Sequence, residues 1–162
     1  MLFDRFGSRI NAVADAVRER GGITLVETVV QALAGGIHPA QRGPLDEDRQ
    51  LHLLRLLFNA TGSPSLAGAR LADFARFTEE MSDALANRVG ADPTDPEVQL
   101  ATFVIAGLVR VRQQSTYNHV QHATSLAALG DAIQRDLRRA AQLAELTLTA
   151  FDRNPRETAG KA

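Results

Sequence analysis

Residues 85–100 read LANRVGADPTDPEVQL, and the parsing of the whole chain follows from them. An apolar-periodic segment stops at Gly90, a residue suited to ending a helix because it tolerates the left-handed conformation. Asp92-Pro93 supplies a short connector. Thr94-Asp95-Pro96-Glu97 then has the form of a capping box, with proline inside the first turn of the next helix. One helix ends here and a second long one begins.

Working outward, the helix before this turn starts near Ser63-Pro64 and carries Leu66, Phe74, Phe77, Met81 and Leu85 at helical spacing. The helix after it, over about 95–119, is apolar on two sides. Val98, Ile105 and Val109 form one side, and Leu100, Val104 and Val111 the other, so it is expected to lie sandwiched between two surfaces. Around 119–124 the pattern breaks. Thr124 or Ser125 can cap a last helix over about 125–151, with Leu126, Leu129, Ile133, Leu137, Ala140 and Ala144 on its inner stripe.

Three further helices precede these. The first covers about 2–20, with Phe3, Phe6, Ile10, Val13 and Val17 in one stripe, and stops at Gly21-Gly22. The second covers about 25–34, opened by a capping box at Thr24-Leu25-Val26-Glu27 and closed at Gly35-Gly36. After a Pro- and Gly-containing loop, the third runs from near Asp46 to about Ala60. Its leucines leave it apolar on most sides, which predicts the central, enclosed helix. The expected fold is all-α: one domain of about six helices over 1–151, followed by a disordered tail over 152–162.

Composition narrows the function classes. The 162 residues carry a net charge of −1, so no basic excess favours nucleic acid. Cysteine is absent, which excludes disulfides, thiol nucleophiles and cysteine-ligated metals, and suits a reducing, cytoplasmic setting. The charged start, MLFDRFGSRINAVADAVRER, does not read as a signal peptide, and no apolar run approaches the ~18 residues of a membrane span. Arginine outnumbers lysine 17 to 1, a bias that suits a GC-rich bacterial genome.

The order of these features resembles the C-terminal domain of TetR-family transcriptional regulators. The similarity is greatest over 63–112, SPSLAGARLADFARFTEEMSDALANRVGADPTDPEVQLATFVIAGLVRVR, with its helix, Asp-Pro turn and long helix. The opening MLFDRF resembles the start of that family's linking helix, so the family's three-helix DNA-binding head is expected to be missing from this sequence. The resemblance implies a homodimer in which the last two helices form a four-helix bundle with their counterparts. It also implies a small, mostly apolar effector between the middle helices, no cofactor and no enzymatic activity. DNA would be contacted only through the missing head. A different reading is a standalone headless subunit that pairs with a full-length regulator and modulates it.

Carried onto this chain, the effector wall would comprise Leu54, Leu57, Phe58, Phe74, Phe77 and Met81, although apolar stripes of this kind also simply pack as core. On the fifth helix, Phe103, Gly107, Arg110, Gln114 and Tyr117 recur at steps of four and three and therefore share a face. Arg110, Gln114 and Tyr117 could orient a polar group of the effector, or else lie in solvent or at a subunit interface. On the last helix, Ala127, Ala128, Asp131, Arg135, Arg138, Ala141, Gln142 and Glu145 lie off the inner stripe and are candidates for the dimer contact, the alternative being an ordinary exposed face. His119 and His122 sit at a helix end without a second pair at ligand spacing, so no metal site is assigned. Signatures of nucleophile-elbow, phosphate-loop or zinc-protease chemistry are lacking, and no catalytic residue is assigned.

Overall fold

The computed structural model describes residues 12–19, 23–35, 44–60 and 64–153, with only the backbone described at 44–46, 57, 60 and 64–72. These residues form α1 (12–18), α2 (Leu25–Ala34), α3 (Pro44–Ala60), α4 (Pro64–Val89), α5 (Pro96–Val120) and α6 (Leu126–Asp152). No strand occurs among the described residues, so the chain is all-α. The beginning of the first helix and the tail from 154 lie outside the described residues.

Local chemistry explains the boundaries. The Thr24 hydroxyl accepts from the Glu27 N–H at 3.2 Å, and the Glu27 carboxylate accepts from the Thr24 N–H at 3.2 Å, completing the capping box that opens α2. Gly90 adopts φ 70° at the end of α4, and the Ala91 N–H reaches back to the Ala86 carbonyl at 3.0 Å, satisfying a terminal acceptor. Ser125 opens α6 by accepting from the Ala128 N–H at 3.0 Å.

The second capping box does not form. Asp95 is the residue before α5, and its side chain makes no capping bond. Thr94 turns to Asp92 instead, its N–H and hydroxyl both donating to one carboxylate oxygen. An Asx-type turn offers Thr94 two bonds where a cap would offer one. Those two bonds hold the Asp92 carboxyl below its usual range.

The enclosed helix is α5 rather than α3. It packs against α2, α3, α4 and α6, and its contact with α6 is the most extensive in the chain. Ile105, Val109, Val98 and Leu108 are buried along it. On α3, Leu51 and Phe58 are buried, but Leu53 and Leu56 stay 41% and 52% exposed. Apolar residues at neighbouring positions point around a helix, so a high count of leucines does not by itself define an enclosed helix.

Two buried arginines and one half-buried one tie the helices at their ends. Arg112 donates from Nε to the Leu33 carbonyl at 2.7 Å, joining α5 to the end of α2. Arg55 donates to the carbonyls of Val120 at 3.1 Å and Ala123 at 2.7 Å, so α3 supplies donors to the exposed acceptors where α5 ends. Arg88 pairs with Asp152 and also reaches the Val17 carbonyl at 3.3 Å, joining α1, α4 and α6.

Candidate functional site

The α5–α6 pair presents an exposed apolar face. Ser115 donates to Asp136 at 2.6 Å, and His119 Nε2 lies 3.0 Å from the same carboxylate oxygen. Asp136 therefore sits opposite the 115–119 turn. Because the two helices are joined by the short connector 121–125, they run antiparallel. Seven to ten residues further along α6 then lie level with seven to ten residues earlier along α5. That register sets Leu143 and Leu146 at about the level of Arg110 and Gly107 along the helix pair. Leu143 and Leu146 are 87% and 85% exposed, and Leu100 and Phe103 on α5 are 56% and 60% exposed. Four large apolar side chains this exposed on one pair of helices suggest an interaction surface.

The fifth-helix line lies on this face. Phe103, Gly107, Arg110, Gln114 and Tyr117 are all exposed, as shared helical spacing requires. A Cβ built at Gly107 would meet nothing within 4 Å among the described residues. The Gln114 amide donates to Asn118 at 2.9 Å. None of the five lines the groove described below.

The expected effector wall is dispersed. Phe58, Phe77 and Met81 are buried and belong to the main core, and Leu54 packs partly buried against it. Phe74 is exposed. The side chain of Leu57 lies outside the described residues.

A separate open groove of about 710 Å³ runs between α2 and α6. Val26, Val30, Ala34 and Ala141 contribute apolar lining, while Glu27, Asp131, Arg138 and Glu145 carry its charges. Six of the eight residues assigned to a dimer contact line this groove: Ala127, Asp131, Arg138, Ala141, Gln142 and Glu145. Ala128 and Arg135 are exposed and do not line it. Ala141 is buried and part of the core cluster, which corrects its placement off the inner side of the helix. The inner stripe is wider than one line of residues because α6 packs against both α5 and α2.

Sequence reasoning passed over Leu143 and Leu146. Both fall outside the inner stripe, and the signal available was their size: two leucines on a face otherwise made of Arg, Gln and Ala.

Electrostatically, the Ser115 hydroxyl and then His119 hold the Asp136 carboxyl below its usual range. His122 is exposed, and no group of three or more His, Asp or Glu side chains is arranged to hold a metal among the described residues. No helix among the described residues is long and apolar enough to cross a membrane. Comparison with protein-family models, curated proteins and solved structures finds no match to this chain.

Proposed function

We propose that this chain is the effector-sensing and dimerising domain of a TetR-type transcriptional regulator, pairing through α5 and α6. The observation that carries the reading is that four large apolar side chains, Leu100, Phe103, Leu143 and Leu146, stand exposed on two packed helices. A second pair of such helices covers them in the manner of a four-helix bundle, and a two-fold pair uses the same patch on both copies. The order of helices and the Asp-Pro turn between α4 and α5 support the same family reading.

In this reading the effector is a small, mostly apolar molecule, and the output travels through α1. Arg88 offers a physical route. It holds the Val17 carbonyl at the end of α1 and the Asp152 carboxylate at the end of α6. An effector that favours one arrangement of the helices shifts α1 relative to the pairing helices by that difference in affinity.

Native mass spectrometry of the purified chain, before and after mild denaturation, tests the proposal. The expected result is a two-fold assembly carrying a small mass that leaves on denaturation. A bare monomer at micromolar concentration overturns it.

A further inference from the structure

We infer that the α5 helices of two copies cross at Gly107, and that this glycine is kept for pairing rather than for folding. The inference rests on the pairing surface proposed above and adds its point of closest approach.

Glycine in the middle of a helix costs about 0.5–1 kcal/mol relative to alanine, so its presence there calls for a physical reason. Gly107 lies in the interior of the 25-residue α5. The backbone does not require it, since Gly90 is the only glycine with positive φ among the described residues. Packing within the chain does not require it either, because an added Cβ would meet nothing within 4 Å. Among the described residues nothing fills that space, and it suits the close approach of another molecule. A missing side chain permits two helix axes to approach more closely than the usual 8–10 Å range would otherwise favour.

The surroundings of Gly107 fit a second copy of the same chain. Leu100 and Phe103 precede it on the exposed face, Arg110 and Gln114 follow it, and Leu146 of α6 lies level with it. Under a two-fold axis that sets the two α5 helices antiparallel at Gly107, positions before the crossing on one copy meet positions after it on the other. Phe103 lies four residues before and Arg110 three after, so each ring meets the partner helix's guanidinium. The aromatic face attracts that cation, and the symmetry forms the contact twice. Arg110 is exposed, and no carboxylate pairs with it among the described residues. Leu100, Phe103, Leu143 and Leu146 are 56%, 60%, 87% and 85% exposed, apolar area of the kind that a stable pair buries.

Three proteins compared by sedimentation velocity and non-reducing electrophoresis test the crossing: wild type, Gly107→Leu and Gly107→Cys. Wild type is expected to be a dimer at ~50 μM. Gly107→Leu should raise the dissociation constant at least ~100-fold while keeping full helicity by circular dichroism, since Gly107 is exposed and an added Cβ meets nothing among the described residues. Gly107→Cys should oxidise readily to a covalent dimer, because a crossing at this residue brings the two Cα atoms near the 4.4–6.8 Å that a disulfide spans. The natural sequence has no cysteine, so the introduced thiol reports without background.

A wild type that stays monomeric, or that pairs only with a different protein, overturns the homodimer and the crossing with it. A dimeric wild type with undiminished pairing in Gly107→Leu and no covalent dimer from Gly107→Cys overturns the crossing alone. If Gly107→Leu fails to fold, the Gly107→Cys result decides.

Discussion

Arg88 holds both carboxylate oxygens of Asp152, donating from Nε at 2.6 Å and from a terminal nitrogen at 3.1 Å. The arginine side chain is only 6% exposed, and its other terminal nitrogen reaches the Val17 carbonyl. One guanidinium thus fastens the ends of three helices that are far apart in sequence. A two-pronged bond of this geometry also fixes direction, which a lysine ammonium in its place would not.

Removing one member of this pair should cost more than an exposed ion pair would. Arg88→Ala leaves the Val17 carbonyl and the Asp152 carboxylate without their donor, and Asp152→Ala leaves a buried guanidinium without its counter-charge. Each substitution should lower unfolding stability by about 3 kcal/mol, measured by urea denaturation. The double variant should cost clearly less than the sum of the singles, because the two side chains act as one contact. Additive losses would mean that the pair contributes little.

The end of α5 gives a smaller expected effect. Arg55→Ala removes the donors to the Val120 and Ala123 carbonyls. Those acceptors lie at a helix end and can be met in part by water, so a loss of about 1.5 kcal/mol is expected. Hydrogen exchange should locate the change, with protection falling over 117–124 and holding at the α2 end of the fold.

Asp136 should make stability depend on pH in the acid range. Its folded-state pKa is lowered by Ser115 first and His119 second, so the unfolded chain binds the proton more readily. Its contribution is therefore present above the ordinary carboxylate pKa of about 3.9 and is lost as pH falls through the lower folded value. Asp136→Asn should be less stable than wild type near pH 6, and the gap should narrow progressively below pH ~4. A gap that widens toward acid would contradict the assigned sign.

Much of the fold was legible in the sequence because helix ends are written in local chemistry. Thr24 with Glu27, Gly90, and Ser125 each mark a boundary through bonds to residues a few positions away. Thr94 was misread for the same reason: two local partners competed, and Asp92 offered the better geometry. The identity of the enclosed helix was less legible. The leucines of α3 and the mixed surface of α5 give the opposite ranking, since enclosure depends on which other helices arrive. The shared face of Phe103, Gly107, Arg110, Gln114 and Tyr117 followed from spacing alone, but whether it turned inward or outward did not. Likewise, the off-stripe residues of α6 were identifiable, yet α2 covers one side of them and leaves Leu143 and Leu146 on the other.

Sedimentation equilibrium on wild type beside Leu143→Glu and Leu146→Glu measures whether the chain pairs through this face. Both side chains are almost fully exposed, so neither substitution should disturb the single chain's fold. In a pair, each would bury an unpaired carboxylate against apolar surface. Wild type should be a dimer and both variants monomers of unchanged helicity. A monomeric wild type, or variants that pair as tightly as wild type, would contradict pairing through this face.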